Sequence, residues 1–352
     1  MKAAVCRQFG APLSFEDLTL APPSEKAIKI RVGASAICHS DITYKDGGWG
    51  GNLPLLLGHE AAGTIIETGA AVAGLKPGDR VVITLMRSCG SCPSCGRELE
   101  AVCESPPGIG KSLLTDHDGN TITPLMNSGT FAEEVLVHER QCVAIPDDMD
   151  FDVAALLGCG VITGFGAVLR VGKVQPGERV AVVGIGGVGV NALQATHIAE
   201  AGEIHAIDTD NSKRELALEV GATAFCNPLE STPEGGYDAA FVAVGSARVI
   251  ENAIRLVRPG GRVVILGMPS DADLVSINMS DFAGEAKSVI GTKMGSAMIR
   301  EDIPQLIRWY QEGRIDLDRL ISHRFPFGEI NTALETARNP GSMRVVLNFQ
   351  DT

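Results

Sequence analysis

The segment from Arg179 to Asp210 constrains the fold of this chain more than any other part of the sequence. It begins with an unbroken apolar run, Val180–Val183, which is typical of a strand buried on both faces. A glycine-rich turn, a helical stretch and a second apolar strand from Glu203 to Ile207 follow. This order of elements predicts a βαβ unit of a doubly wound parallel sheet.

The turn between the first strand and the helix matches the pattern G-x-G-x-x-G. Its residues are Gly184, Ile185, Gly186, Gly187, Val188 and Gly189. The three glycines allow a tight turn, a close approach of backbone amides to a pyrophosphate, and close packing of helix on strand. The helix N-terminus adds unpaired N–H groups and the positive end of the helix dipole. An ordinary tight turn in an α/β sheet is the alternative, but the whole order predicts a Rossmann dinucleotide site.

Asp208 ends the second strand, where a carboxylate can accept hydrogen bonds from the adenosine ribose. The carboxylate favours NAD over NADP, because it would repel a 2′-phosphate and no arginine directly follows it. Asp210 adds a further negative charge at the same place.

Composition narrows the class of protein. The 352 residues suffice for two domains, and the net charge of −13 gives no electrostatic support for nucleic-acid binding. The sequence lacks an apolar run of about 18 residues, so no membrane span is expected. The first residues also lack the apolar core of a signal peptide, and we therefore expect a cytoplasmic protein.

The N-terminal part of the chain reads as strands separated by Gly and Pro turns. The segments that predict strands are residues 3–9, 27–37, 60–72 and 79–85. Helical periodicity is scarce here, which predicts a β-rich, barrel-like domain. Farther along, residues 237–245 and 260–267 predict buried strands, and residues 246–258 and 303–313 predict helices.

Four of the nine cysteines crowd into one short segment with the pattern C-x2-C-x2-C-x7-C. They are Cys89, Cys92, Cys95 and Cys103. Such spacing lets four sulfurs face one centre, which is typical of a closed structural zinc site. An iron–sulfur cluster is an alternative, although its bacterial pattern has a shorter last gap followed by Pro, and here Glu104 follows. Uncoordinated cysteines are the third possibility.

A second set of candidate metal ligands consists of Cys38, His59 and Cys159, which lie next to glycines or at the end of a predicted strand. Two thiolates and an imidazole are the kind of ligand set that binds a catalytic zinc and leaves one coordination position open. Each residue alone has an ordinary explanation, because single cysteines are usually small buried hydrophobes and single histidines are usually hydrogen-bonded. The combination with the four-cysteine segment makes metal binding the stronger hypothesis.

These motifs together resemble the zinc-dependent alcohol dehydrogenases of the medium-chain dehydrogenase/reductase superfamily, over essentially the whole chain. The matching segments are CHSD (38–41), GHEAAG (58–63), the four-cysteine lobe, GCG (158–160), the glycine turn and NPGSMRVVL (339–347). The resemblance implies a GroES-like catalytic domain, residues 1–153 and 295–352, and a six-stranded Rossmann domain, residues 154–294. It also implies one catalytic and one structural zinc, NAD, and reversible hydride transfer between an alcohol and NAD+.

The resemblance assigns roles position by position. Cys38, His59 and Cys159 match the catalytic zinc ligands, and Glu60 matches an acid that in some members approaches the metal. Asp41 matches the carboxylate that orients the ligand imidazole, and Ser40 matches the hydroxyl that starts the proton relay. The residues that match cofactor contacts are Thr163 near the nicotinamide, Lys213 near the adenosine ribose, and Arg344 at the pyrophosphate.

Several positions depart from the family. Thr43 stands where many members have the histidine that ends the proton relay, so protons must leave through water or another group. His39 stands where many have an arginine near the cofactor phosphates. Trp49 and Leu85 match positions that line the substrate channel.

Met268 and Lys293 match further pocket positions. A pocket of Trp, Leu and Met suits an apolar or aromatic alcohol. The Lys293 ammonium either reaches solvent or pairs with an acidic or phenolic group of the substrate. Gly50 and Pro107 replace residues typical of the glutathione-dependent formaldehyde dehydrogenases, so that activity is not expected.

Three rival functions remain open at this point. They are a zinc-dependent NADP-linked aldehyde reductase, a non-catalytic scaffold that kept the fold, and a redox sensor built on the four-cysteine lobe. Intact zinc-ligand sets argue against a scaffold, and a sensor gives no reason for the dinucleotide motif. Relatives are dimers or tetramers joined through their cofactor-domain sheets, and the length of segment 104–130 favours a homodimer.

Overall fold

The computed structural model of the protein describes residues 1–110, 113–270 and 272–349. The chain divides into two compact units. The first unit comprises Met1–Cys159, Ile299–Arg308 and the chain from Leu317 onward, and the second comprises Gly160–Met298 and Trp309–Asp316. In the described residues we find no helix with the length and apolar character needed to cross a membrane.

Strands dominate the first unit and helices alternate with strands in the second. The strands are β1 Lys2–Cys6, β2 Ser14–Asp17, β3 Thr19–Leu20, β4 Ala27–Ile37, β5 Leu55–Leu56, β6 Glu60–Thr68, β7 Arg80–Ile83, β8 Leu114–Thr115, β9 Thr123–Pro124, β10 Glu134–His138, β11 Cys142–Ala144, β12 Arg179–Val183, β13 Glu203–Ile207, β14 Ala224–Cys226, β15 Tyr237–Val242, β16 Val257–Ile265, β17 Ser288–Gly291, β18 Ile321–Pro326 and β19 Arg344–Asn348. The α-helices are α1 His39–Lys45, α2 Phe151–Leu156, α3 Gly160–Gly166, α4 Gly189–Ile198, α5 Arg214–Glu219, α6 Ala247–Leu256, α7 Met279–Gly284, α8 Ile299–Gln311 and α9 Ile330–Ala337. A π-helical segment, Ala167–Gly172, follows α3. Short 3-10 turns lie at Cys95–Arg97, Glu100–Val102, Leu125–Asn127, Glu139–Gln141, Asn211–Lys213, Met294–Ser296, Asp318–Leu320 and Phe327–Glu329.

Strand β4 organises the first unit. It pairs antiparallel with β6, β10 and β19 in a seven-stranded sheet of order β11-β7-β6-β4-β19-β18, in which β10 adds to β4. All but two of its residues are buried, because the sheet curls around one apolar core. Cys38 directly follows the last residue of β4, and His59 directly precedes the first residue of β6.

The second unit contains a six-stranded parallel sheet of order β14-β13-β12-β15-β16-β17. Counted within the unit this is the order 3-2-1-4-5-6 of the Rossmann fold, with the change of direction between β12 and β15. Ligands of such sheets bind beyond the carboxyl ends of the strands at that point. The predicted combination of a Rossmann sheet with a β-rich, GroES-like domain is therefore confirmed.

The bounds of several elements differ from the predicted ones. Helix α2 packs on β4 and β6, and its Phe151 ring fills the space above Gly33, so the first unit extends to Cys159 rather than to residue 153. Helix α8 begins at Ile299, four residues before the predicted start at residue 303. Pro304 is the sixth residue of this helix, where a proline cannot donate the backbone hydrogen bond to the carbonyl four residues earlier. Strand β15 stops at Val242, short of the predicted residue 245.

Candidate functional site

Helix α1 begins directly after Cys38, and its third residue, Asp41, ties together three segments of the first unit. The Asp41 carboxylate accepts hydrogen bonds from the backbone N of Cys38 at 3.1 Å and from the backbone N of Gly58 at 3.0 Å. Its Oδ1 also lies 3.1 Å from Nδ1 of His59. Asp41 and His59 are both completely buried. One carboxylate therefore sets the positions of two candidate metal ligands.

The structure brings Cys38, His59, Glu60 and Cys159 together. One ligand atom from each residue lies within 4.8 Å of the others, a spacing that suits a single metal ion. Among the described residues, Nε2 of His59 and Oε1 of Glu60 are buried without a hydrogen-bond partner. Buried polar atoms are almost always paired, so these two atoms are available to a ligand. Two sulfurs and an imidazole nitrogen are the donor set that Zn²⁺ prefers.

The ionisable groups of this cluster shift one another's pKa values. A hydrogen bond from Cys159 holds the pKa of the Cys38 thiol well below its ordinary value, and His59 adds to the effect. Burial opposes a charged imidazole, but Asp41 and then Cys38 outweigh it, so the pKa of His59 is raised. The first shift favours the Cys38 thiolate, and the second favours a His59 ring that donates from Nδ1 to Asp41. Metal binding at this cluster requires the His59 ring to lose its Nε2 proton, so a bound cation would displace that proton.

Glu60 also forms a buried ion pair that the sequence did not predict. Its Oε2 lies 2.5 Å from Nη2 of Arg344, on strand β19. Burial raises the pKa of Glu60 to about 7, against the opposing effect of Arg344. The family resemblance implies a pyrophosphate contact for Arg344, whereas the structure holds its guanidinium against Glu60. The two residues are 284 positions apart, so no local pattern could have signalled the pair.

Ser40 and Thr43, the two positions matched to the proton relay, lie on α1 together with His39, which was matched to the cofactor phosphates. The thiol of Cys38 lies 3.7 Å from Oγ of Ser40, so this hydroxyl is next to the metal cluster. Thr43 Oγ1 donates to the backbone carbonyl of His39 at 3.0 Å, a bond within the helix. The His39 side chain is exposed. The proton of Thr43 is thus engaged in a hydrogen bond within the helix.

The four-cysteine lobe forms a second cluster, with the ligand atoms of Cys89, Cys92, Cys95 and Cys103 within 4.8 Å of one another. Backbone amides point at the sulfurs. The N–H groups of Ser91 and Cys92 donate to Sγ of Cys89 at 3.4 and 3.3 Å. These donors, the amide of Ser91 first, lower the pKa of Cys89 to about 6. A closed set of four cysteines suits a structural zinc.

Glu104 is a further residue of the lobe whose role the sequence analysis missed. Its Oε1 accepts hydrogen bonds from the backbone N and the hydroxyl of Ser94, at 3.0 and 2.6 Å. This contact joins the segment between Cys92 and Cys95 to the residue that follows Cys103. Its position directly after Cys103 was the available signal.

In the second unit, the glycine turn and Asp208 form a connected arrangement. Asp208 Oδ2 accepts from the backbone N of Ile185 at 2.6 Å and lies 3.2 Å from Nζ of Lys213. Gly184 has φ +88°, and a Cβ on Gly189 would collide with the carbonyl of Gly184. A Cβ on Gly186 would meet no described atom within 4 Å, so this turn leaves room for a phosphate. These residues fit the pyrophosphate and adenosine part of a dinucleotide.

The remaining candidates differ in exposure. Thr163 is buried, and its hydroxyl lies 3.8 Å from the sulfur of Met294. Trp49 stacks edge-to-face on Tyr44 with 5.1 Å between ring centroids, and Leu85 is half-buried. Met268 is 67% exposed. Lys293 is also exposed, as expected for an ammonium that reaches solvent.

Two family models match the chain. The model of the alcohol dehydrogenase GroES-like domain matches residues 24–147. The model of the zinc-binding dehydrogenase matches residues 187–312. The first range contains both the four-cysteine lobe and the segments with Cys38 and His59, and the second contains Asp208.

Similar proteins match along nearly their whole length. The S-(hydroxymethyl)glutathione dehydrogenase of Saccharomyces cerevisiae is 33% identical, over 99% of this chain and 96% of that protein. An alcohol dehydrogenase zinc-binding domain protein from Burkholderia ambifaria has a TM-score of 0.94 at 30% identity, covering 99% of this chain and 98% of that chain. The benzyl alcohol dehydrogenase of Acinetobacter calcoaceticus has a TM-score of 0.92 at 28% identity, covering 99% of both chains.

Proposed function

Because this chain belongs to the zinc-dependent alcohol dehydrogenases of the medium-chain dehydrogenase/reductase superfamily, we propose that it interconverts an alcohol and its aldehyde or ketone with NAD+ as the hydride acceptor. The observation that carries the proposal is the cluster of Cys38, His59 and Cys159, in which Nε2 of His59 is buried without a hydrogen-bond partner among the described residues. Because the similar proteins are alcohol dehydrogenases, what we propose is the cofactor, the class of alcohol and the residues that carry out the reaction.

The residues of the cluster have distinct tasks in this proposal. A zinc ion held by Cys38, His59 and Cys159 would supply a Lewis acid for the substrate oxygen, and nicotinamide would supply the hydride acceptor. Asp41 fixes the His59 ring through Nδ1, which leaves Nε2 to face the metal.

Proton transfer in this proposal begins at Ser40. As the hydroxyl beside Cys38, it would accept the proton of the substrate hydroxyl at Oγ while it passes its own hydroxyl proton to water. Thr43 already donates its own proton to the carbonyl of His39. The proton therefore leaves through water rather than through a side chain at position 43.

NAD is the proposed cofactor because Asp208 is a carboxylate. It is nearly buried, and it accepts from the amide of Ile185 in the glycine turn. A 2′-phosphate beside this carboxylate would place like charges together, at a cost of several kcal/mol. An NADP-linked reductase would need this position to be neutral or flanked by a free arginine.

We propose an apolar or aromatic alcohol as the substrate. The support is the aromatic pair of Trp49 and Tyr44, the apolar Leu85, and the similarity to a protein described as a benzyl alcohol dehydrogenase. Catalytic efficiencies with benzylic, allylic, aliphatic and hydroxy-acid alcohols test this choice. Benzylic alcohols should rank first, and a preference for hydroxy acids would contradict the proposed pocket.

The experiment that tests the metal cluster uses Cys38→Ser and Cys159→Ser. Each variant should lose turnover and one of two zinc ions per chain, because a serine oxygen is a poor zinc ligand in a set that includes a thiolate and an imidazole. NAD binding, measured by fluorescence titration, should persist because Asp208 and the glycine turn lie in the other unit. Loss of NAD binding in a folded variant would contradict this division of tasks.

We further propose a cytoplasmic homodimer. Strand β17 is the outermost strand of the second unit's sheet, and Leu274 and Met279, which precede it along the chain, are 83% and 63% exposed. A second copy pairing at this edge would cover both side chains and the unpaired backbone of β17. Sedimentation velocity of Leu274→Lys should show more monomer than the unmodified protein, and an unchanged dimer would place the interface elsewhere.

A further inference from the structure

Two fully buried hydroxyl groups, those of Ser35 and Thr130, lie behind the segment that carries His59. Ser35 Oγ donates to the backbone carbonyl of Glu60 at 3.0 Å. The hydroxyl oxygens of Ser35 and Thr130 are 2.8 Å apart. Ser35 has one proton and uses it on Glu60, so Thr130 donates to Ser35. The result is a chain of hydroxyls that ends at Glu60.

Packing alone does not explain a hydroxyl at position 35. Ile37, the next residue on the same face of β4, is apolar and buried, and so are Ala34 and Ala36 on the opposite face. Burying a hydroxyl in such surroundings costs free energy unless it is hydrogen-bonded, and alanine would fill nearly the same space. The hydroxyl pair therefore depends on the hydrogen bonds it makes.

The segment around His59 is held from two sides. On one side, the amide of Gly58 donates to Asp41. On the other side, the amide of Thr130 donates to the carbonyl of Gly58 at 3.0 Å. Gly58 has φ +91°, and a Cβ there would lie 2.5 Å from Oγ1 of Thr130. Asp41 controls the side toward the imidazole, and the hydroxyl chain controls the side toward Glu60.

We propose that Thr130 and Ser35 are positioning residues of the metal centre, which fix the Glu60 carbonyl and thereby aim the His59 imidazole and the Glu60 carboxylate at one point. This inference rests on the proposed metal-binding function of the cluster. Without the hydroxyl chain, the Glu60 carbonyl loses the hydrogen bond from Ser35, and the start of β6 is held on this side by its pairing with β4 alone. The two side chains then no longer converge, and the metal is held less tightly.

The test compares variants that separate positioning from stability. Thr130→Val removes one hydroxyl at nearly constant shape, and Thr130→Ser keeps the hydroxyl but removes a methyl group. The double variant Ser35→Ala/Thr130→Val removes both members of the pair, which leaves neither hydroxyl unpaired in the core. Thr196→Val is the matched control, because its fully buried hydroxyl donates to the carbonyl of Leu193 at 2.7 Å in the second unit.

The readout is the release of metal to a chelator, with Co²⁺ replacing Zn²⁺ so that absorption reports on each cluster. We expect Thr130→Val and the double variant to lose the metal at Cys38, His59 and Cys159 on the order of tenfold faster than the unmodified protein. The four-cysteine lobe serves as the internal reference and should release its metal at the unmodified rate. Thr130→Ser and Thr196→Val should behave like the unmodified protein.

Metal release at the unmodified rate from folded Thr130→Val and double variants would overturn the inference and leave the hydroxyls with a structural role only. If the double variant does not fold, Thr130→Val against Thr130→Ser decides, because each of these variants differs from threonine at a single heavy atom of the side chain. An unmodified protein that binds metal only in the four-cysteine lobe would instead contradict the proposed function.

Discussion

Oδ1 of Asp41 lies 3.1 Å from Nδ1 of His59, and both side chains are completely buried. The same carboxylate accepts from the backbone amides of Cys38 and Gly58. Both of its oxygens therefore accept hydrogen bonds, and only a carboxylate offers two acceptor atoms in this shape. This contact decides which nitrogen of His59 faces the metal.

Asp41→Asn should weaken metal binding at the cluster about 10- to 100-fold, because the amide NH2 must face one of three donors. Metal content after dialysis against a graded chelator measures the change. Asp46→Asn is the matched control, since Asp46 pairs with Arg338 at the end of the same helix. Equal metal retention in both variants would contradict the role of Asp41.

Asp208→Ser should shift the cofactor preference toward NADP, since the change removes a carboxylate and frees the ammonium of Lys213. The ratio of kcat/KM with NADP to kcat/KM with NAD should rise at least about tenfold, because juxtaposed like charges cost several kcal/mol. Asp210→Ser is the control, because Asp210 caps the turn at Ser212 and should change the ratio far less. A ratio that stays constant in Asp208→Ser would exclude this carboxylate as the selector.

Cys92→Ser should release the metal of the four-cysteine lobe and lower the thermal unfolding midpoint, because a structural zinc contributes directly to folding. The metal at Cys38 should remain, which metal analysis can show as one ion per chain. Cys226→Ser is the control, because Cys226 belongs to neither metal cluster. Identical midpoints in the two variants would show that the lobe holds no stabilising metal.

Lys293→Met should leave the preference between anionic and neutral alcohols unchanged, because the Lys293 side chain is exposed and can be solvated. Paired assays with benzyl alcohol and 4-(hydroxymethyl)benzoate measure this preference. A selective loss of activity on the anionic alcohol would instead assign Lys293 to recognition of an acidic substrate group.

The sequence predicted the parts of this protein that local patterns encode. The six residues from Gly184 to Gly189 and the acid at Asp208 lie within one βαβ unit, and together with the order of strand, turn, helix and strand they predict the Rossmann fold. The four-cysteine lobe is equally local. For such features the residues that act together are close in sequence, so the pattern is visible before the structure is known.

Contacts between distant segments could not be predicted in this way. Arg344 pairs with Glu60, and Thr130 reaches Ser35, only because β19, β4 and β6 adjoin in one sheet and the chain before β10 folds back onto it. Ser35 looked like an ordinary residue of an apolar strand. Its role depends on which hydroxyl and which carbonyl lie beside it, and that is a property of the assembled core.

The most direct test of the account is NADH formation by the purified protein with benzyl alcohol, using NAD+ and NADP+ in parallel, before and after treatment with a zinc chelator. The account predicts turnover with NAD+ that the chelator abolishes and that added Zn²⁺ restores, with much weaker turnover with NADP+. Turnover that survives complete loss of zinc from Cys38, His59 and Cys159 would contradict the proposed mechanism. A protein that holds both metals and binds NAD but turns over none of the alcohols would contradict it as well.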